Sequence, residues 1–101
     1  MLPLLLAAQQ YEQTVRGVVL EKDTRESLPG AAVIVSSSDR EFGVTTNEKG
    51  EFAISGVPVG RCHISVSMLG FTPYLSNNIL IFSGKETVLE ITLEENILSY
   101  N

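Results

Sequence analysis

The sequence has few of the residues that most often carry chemistry: one cysteine, one histidine and no tryptophan. A single cysteine excludes a disulfide within the chain and a zinc site built from several thiolates. A single histidine excludes a metal site held by a histidine pair, and the abundance of serine does not by itself indicate a catalytic triad. The composition therefore predicts no catalytic residues, no metal ligands and no cofactor.

Basic residues are also few, and they are dispersed. Seven Lys and Arg stand against twelve Asp and Glu, which gives a net charge of −5. Proteins that bind nucleic acid or anionic membranes usually cluster basic residues on one face. The charge pattern therefore argues against nucleic acid as a partner and against binding to anionic lipid.

One continuous apolar run lies at the N-terminus. Residues 1–8 read Met-Leu-Pro-Leu-Leu-Leu-Ala-Ala and precede Gln9 and Gln10. The run is too short to span a bilayer, and its small residues ahead of a polar pair resemble the end of a secretory signal. Because no lysine or arginine precedes it, a hydrophobic arm that packs on a neighbour is the second interpretation.

The rest of the chain alternates apolar and polar residues in short segments. In residues 61–68, Cys62 and Ile64 share the face predicted to be buried, whereas Arg61 and His63 share the face predicted to be solvated. Segments of this kind recur about every ten residues with turn residues between them, as in an all-β sandwich. The predicted strands are residues 14–20, 31–36, 41–46, 51–55, 61–68, 78–82 and 87–93.

Seven such strands predict a β-sandwich of two stacked antiparallel sheets, because each apolar face then shields the other. The clearest turn lies at residues 47–50, where Gly50 stands at a position that needs positive φ. The predicted core consists of Val33, Val35, Phe52, Ile54, Ile64, Val66, Leu89, Ile91 and Leu93.

Five segments, each a strand or a turn, follow one another in a characteristic order. They read Val-Arg-Gly-Val-Val at 15–19, Leu-Pro-Gly-Ala-Ala-Val-Ile-Val at 28–35, Thr-Thr-Asn-Glu-Lys-Gly-Glu-Phe at 45–52, Val-Pro-Val-Gly at 57–60 and Ser-Met-Leu-Gly-Phe at 67–71. This order resembles the carboxypeptidase regulatory-like domain, a transthyretin-like Greek key of seven strands. Asn47 stands where that family usually has Asp, and Cys62 stands where it usually has an aromatic residue.

The resemblance implies three parts: a signal remnant or arm at residues 1–12, the sandwich at 13–94 and the start of a linker at 95–101. In Bacteroidetes such a domain commonly follows the signal peptide of a TonB-dependent outer-membrane receptor. The implied function is a non-catalytic accessory domain of that receptor, acting in the periplasm as a spacer or docking module without entering the membrane itself.

The implied partner is a protein, either the rest of the receptor chain or a periplasmic partner. Its extended segment would add to an edge strand, and Arg61 and His63 are expected to tune the choice. The alternative is a secreted or surface module that binds glycan or peptide. Tyr11, Tyr74 and Tyr100 are too far apart in sequence to predict the aromatic patch that such a module would use.

Three candidate sites have simpler interpretations of the same residues. A calcium loop would use Asn47, Glu48 and Glu51, with Asp39 and Glu41 one turn back, but calcium takes about six to eight oxygen ligands. An Asx turn explains Asn47 more simply. Cys62 is predicted to fill the core rather than to react, and His63 to be solvated.

Catalysis and crosslinking are not expected. Transthyretin-like enzymes that hydrolyse a purine-derived lactone use several histidines and a C-terminal Tyr-Arg-Gly-Ser motif, whereas this chain ends Leu-Ser-Tyr-Asn. An intramolecular Lys–Asn crosslink needs a lysine buried beside an acid, but Lys22, Lys49 and Lys85 all fall in predicted turns or loops.

Overall fold

The computed structural model describes residues 11–96, which form eight β-strands and no helix. None of these residues therefore lies in a helix long and apolar enough to cross a membrane. The strands are β1 (Glu12–Glu21), β2 (Ala32–Ser36), β3 (Glu41–Thr45), β4 (Glu51–Pro58), β5 (Gly60–Ser67), β6 (Phe71–Thr72), β7 (Tyr74–Ile81) and β8 (Thr87–Glu95). The predicted all-β fold class is confirmed.

The strands form two four-stranded sheets, in the orders β4-β1-β8-β6 and β3-β2-β5-β7. All neighbours are antiparallel except β1 and β8, which run parallel through seven consecutive pairs from Val15↔Thr87 to Glu21↔Leu93. The sandwich was predicted, but the expectation that both sheets are wholly antiparallel is wrong at this pair. Side chains alternate in the same way along parallel and antiparallel strands, so the pattern does not reveal strand direction.

Two other details differ from the predicted strands. One strand was not among the seven predicted: the two-residue β6, which pairs only with Glu94 and Glu95 at the end of β8. The strand predicted at residues 78–82 begins at Tyr74 instead. The register of β7 against β5 shifts by one residue between Ile79 and Ser76, so a bulge interrupts the alternation in the middle of β7.

The core lies between the two sheets. All the predicted core residues are buried except Leu89, which is half-buried and packs against the others. Both Ile91 and Leu93 of β8 are buried, which fixes the inner face of that strand. The buried hydrophobic residues that were not in the predicted core list are Val15, Val19, Leu28, Ala31, Val57, Cys62 and Ile81.

Thr46 is the one polar side chain that is buried in the described part of the chain. Its Oγ1 donates a hydrogen bond to the Leu28 carbonyl at 2.6 Å and accepts one from the Ala31 N–H at 2.9 Å. Its backbone N–H also donates to the Ala31 carbonyl at 2.9 Å. Thr46 thus ties the turn before β2 to the end of β3, and its burial is compensated by these bonds.

Candidate functional site

The turn at residues 47–50 is held by the Asn47 side chain. Asn47 Oδ1 accepts hydrogen bonds from the backbone N–H groups of Lys49 and Glu51, both at 2.9 Å. The Gly50 N–H donates to the Asn47 carbonyl at 2.9 Å, which closes the turn. The Asx turn that the sequence predicts is confirmed, and the oxygen proposed for calcium is already committed to the backbone.

The other candidate ligands do not converge. Asp39 and Glu41 are exposed. Within residues 11–96, no three His, Cys, Asp or Glu side chains lie close enough together to hold a metal ion. The three lysines are exposed, as their predicted places in turns and loops indicate.

Cys62 and His63 lie on opposite faces of β5, as the alternation predicts. Cys62 is 1% exposed, and burial raises the pKa of its thiol, whereas His63 and Arg61 are exposed. However, β5 lies between β2 and β7 inside its sheet. Arg61 and His63 therefore lie on the strand next to the edge strand β7, and their expected role in docking stays a prediction.

The tyrosines do not provide a shared aromatic surface in the described chain. Tyr11 is exposed, while Tyr74 is half-buried and packs against the core. Tyr100 lies outside the described residues.

A groove of about 500 Å³ opens beside β1, β4 and β8, with Val18, Phe52 and Val88 among its walls. Its lining contains no histidine, cysteine or serine. The guanidinium of Arg16, which also lines the groove, is engaged with Glu86 at 2.7 Å. The hydroxyl and carboxylate residues of the lining are Thr45 and Glu51.

The most regular polar arrangement lies where β1 and β8 run side by side. Three acidic residues spaced four apart along the chain at β8 share its outer face, because side chains alternate along a strand. Each pairs with a basic residue on β1 or on the loop that follows it. The pairs are Arg16–Glu86 at 2.7 Å, Arg25–Glu90 at 2.9 Å and Lys22–Glu94 at 3.9 Å.

The loop after β1 presents Arg25 to its partner through a strained backbone. Arg25 has a φ of 65°, the one positive value outside glycine among the described residues. Glu21 stabilises this loop, since its carboxylate accepts hydrogen bonds from the N–H groups of Thr24 at 2.6 Å and Asp23 at 2.7 Å. The Thr24 N–H is the main reason that the pKa of Glu21 is lowered.

Gly17 lets the strands approach closely at the centre of this sheet. It faces Phe52 on β4 and Leu89 on β8. A β-carbon there would collide with the Leu89 carbonyl oxygen and would lie 3.1 Å from the Phe52 ring. The close approach at Gly17 was not predicted from the sequence, although a glycine inside a strand is itself a signal of close backbone approach.

The parallel pair also decides where the chain enters and leaves the domain. Glu12 lies three residues before the first β1–β8 pair, and Glu95 lies eight residues beyond it on β8. At about 3.3 Å per residue, the two ends of the domain are roughly 35 Å apart along the strand axis. The chain therefore passes through the domain from one end to the other.

Solved structures of several kinds share this sandwich. The Bacillus anthracis TIE protein has a TM-score of 0.72 at 24% identity, over 84% of this chain and 17% of that one. The pilus 2b backbone protein of group B streptococcus has a TM-score of 0.68 at 14% identity, over 85% and 42%. Hydroxyquinol 1,2-dioxygenase from Pseudomonas putida DLL-E4 has a TM-score of 0.71 at 11% identity, over 87% and 58%.

These identities show a shared fold and leave function open, since a pilus protein and an enzyme both use the sandwich. The chain spans only 17% to 58% of the length of these three proteins. A search of curated proteins finds no match. The family described as the carboxypeptidase regulatory-like domain matches residues 14–94, and the chain therefore belongs to that family.

Proposed function

We propose that this chain is a non-catalytic accessory domain that acts as an in-line spacer at the front of a TonB-dependent outer-membrane receptor. The parallel pairing of β1 and β8 carries the proposal. Because the chain enters at one end and leaves at the other, the domain holds its flanking segments roughly 35 Å apart. A spacer needs this geometry and needs no reactive group.

Two further observations support the receptor setting. The apolar run at residues 1–8 resembles the end of an export signal. The fold is also found in a pilus backbone protein of group B streptococcus, which is consistent with a structural use of this sandwich. In this setting the domain lies in the periplasm, and its neighbours are the rest of the receptor and periplasmic proteins.

Docking is a second role, favoured by the free edge of β8. The carbonyls of Leu89 and Leu93 point toward β1, so the backbone groups of Val88, Glu90 and Thr92 point the other way. Among the described residues, no strand pairs with that side of β8 before Glu94, where the pairing with β6 begins. An extended segment of a partner would add there as a further strand.

The location is tested in the source cells with an antibody against residues 13–94. We expect a protein much larger than 11.0 kDa in the outer-membrane fraction. Added protease should cleave the domain only after the outer membrane is permeabilised. A cytoplasmic protein, or a free species of 11.0 kDa, would contradict the proposal.

Spacing and docking are separated by replacing residues 13–94 in the receptor. One variant deletes them, and the other substitutes about 40 Gly and Ser residues, whose average span is also about 35 Å. Both should leave the barrel assembled. A spacer predicts that deletion impairs uptake or signalling and that the linker restores it, whereas docking predicts impairment in both. Normal uptake and signalling after deletion would contradict either role.

A further inference from the structure

We infer that the domain bears tension between its ends through a shear clamp, formed by residues 15–21 of β1 and 87–93 of β8. This inference rests on the proposed in-line position, since only such a domain is pulled from both ends. Tension draws β1 and β8 in opposite directions along their own axes. The inter-strand hydrogen bonds lie across the strands, so the force loads them together instead of opening them one at a time.

The clamp is the most regular pairing that involves either end strand. Its seven pairs contain no register shift, whereas the β1–β4 pairing contains one and the β6–β8 pairing consists of only two pairs. β1 is held between β4 and β8, while β8 has only the two-residue β6 on its other side. Tension therefore removes β8 first, and removing β8 requires the whole clamp to break.

The clamp cannot yield by a slip of one residue. Such a slip would turn Ile91 and Leu93, which are 2% and 1% exposed, to the solvent and would turn Glu90 inward. The smallest slip that keeps the faces correct is two residues, or about 7 Å. A movement of that size separates every ion pair along the outer face, so the strands stay in register until they part.

Contacts around the clamp strengthen the same register. The Arg25 guanidinium reaches Glu90 from the loop after β1, and the strained backbone of Arg25 is explained if this contact matters to the domain. Gly17 permits the close approach of β1 and β8 at the middle of the clamp. Side chains and backbone thus tie the first strand to the last at several points along its length.

The test compares two directions of pull on the 101-residue chain at one constant force. In the first, handles are fused to both termini, and the clamp is loaded in shear. In the second, one handle is at the C-terminus and the other is on the thiol of Asp23→Cys. Asp23 is exposed and follows Lys22, whose N–H bonds the Leu93 carbonyl at 2.9 Å, so this pull peels the same pairs from one end.

Shear should give a lifetime longer than peeling by about tenfold or more, because breaking three further hydrogen bonds together exceeds the roughly 1.4 kcal/mol that a factor of ten represents. Equal lifetimes, or a longer lifetime in peeling, would overturn the clamp. The Asp23→Cys chain pulled by its termini is the matched control and should behave as the parent does. Cys62 does not interfere, since it is 1% exposed and native attachment reaches only the introduced thiol.

A pair of glycine variants adds a second readout under terminal load. Gly17→Ala wedges β1 from β8 and should shorten the lifetime about tenfold or more, as expected for a loss above 1.4 kcal/mol. Gly43→Ala, on β3 with open space around it, should leave the lifetime unchanged. An unchanged lifetime for a folded Gly17→Ala would also overturn the clamp, and if that variant does not fold, the two directions of pull decide.

The two proposals fail in different experiments. Equal lifetimes would remove the clamp and leave the in-line spacer intact, because spacing requires only that the chain enter and leave at opposite ends. A cytoplasmic location would remove the receptor role, while the lifetimes measured in the isolated domain would stand.

Discussion

Gly50 is the residue whose substitution tests the local structure most sharply. Its φ is 74°, and a β-carbon there would lie 2.7 Å from the Val19 carbonyl oxygen and 3.0 Å from the Leu28 backbone nitrogen. Its own carbonyl accepts a hydrogen bond from the Val19 N–H at 2.8 Å. Gly50→Ala therefore imposes an unfavourable backbone conformation and also presses the new methyl group against two backbone segments.

The cost of each effect can be worked out separately. An L-residue in the left-handed region costs about 1–2 kcal/mol, and forcing extra volume into a packed site costs about 1–3 kcal/mol more. The expected loss is about 2–5 kcal/mol, against a total stability of about 5–15 kcal/mol for an ordinary domain. At about 4–8 °C per kcal/mol for a domain of this size, the melting temperature should fall by at least about 8 °C.

Three other glycines separate these effects. Gly30 has a φ of 82° with open space around it, Gly17 is crowded without positive φ, and Gly84 is neither strained nor crowded. In urea unfolding of the four single alanine variants, Gly84→Ala should lose the least stability, and Gly30→Ala and Gly17→Ala should each lose more. Gly50→Ala should lose more stability than Gly30→Ala.

Two outcomes would refute the reasoning. If Gly50→Ala and Gly84→Ala unfolded at the same urea concentration, neither the positive φ nor the close contacts of Gly50 would matter, and the turn would be wrongly assigned. If Gly50→Ala and Gly30→Ala lost equal stability, the conformational effect would stand, but the contacts with the β1 backbone and the loop before β2 would carry no energy.

Three more predictions concern single side chains. Thr46→Val keeps the shape but leaves two buried backbone groups without their partner, so urea unfolding should show a loss of about 2–4 kcal/mol, whereas the exposed Thr45→Val should be neutral. Cys62 should react with a thiol reagent only after urea is added, and rapid labelling of the native protein would place it at the surface. Because burial raises the pKa of the Cys62 thiol, the contribution of Cys62 to stability is full at neutral pH and is lost as the pH rises into the alkaline range. Because the pKa of Glu21 is lowered, its contribution is present at neutral pH and is lost as the pH falls below its ordinary value of 4.5. The urea midpoints of Glu21→Gln and the parent should therefore converge in acid, while Glu48→Gln, on an exposed turn, should change the midpoint little at either pH; a gap for Glu21→Gln that does not depend on pH would contradict the assignment.

Much of the fold could be predicted because local rules govern it. Alternation at period two correctly assigned the faces of β5, where Cys62 is buried and His63 is exposed. Turn chemistry correctly assigned Asn47 and Gly50, since both residues satisfy requirements of the backbone within four positions. The first half of β7 was missed because its bulge breaks the alternation on which the prediction depended.

The ion pairs beside the clamp could not be predicted in this way. Arg16 and Glu86 are 70 positions apart in sequence, and Arg25 and Glu90 are 65 apart. No local period connects residues so distant, and each taken singly is indistinguishable from an ordinary solvated charge. Gly17 was the one available signal, and its meaning becomes definite only when Leu89 is known to lie across from it.

The direction of β8 decides the proposed function, although it changes almost nothing else in the sequence pattern. If β8 ran antiparallel to β1, Ile91 and Leu93 would still alternate with Glu90, and the core could be filled by the same residues. Both ends of the domain would then lie on one side, so the domain would hang beside the chain as a branch. Tension would peel the terminal pair one hydrogen bond at a time. With β8 parallel to β1, the same strands hold the segments on either side of the domain apart and resist tension in shear. Both proposals therefore depend on topology rather than on any reactive residue.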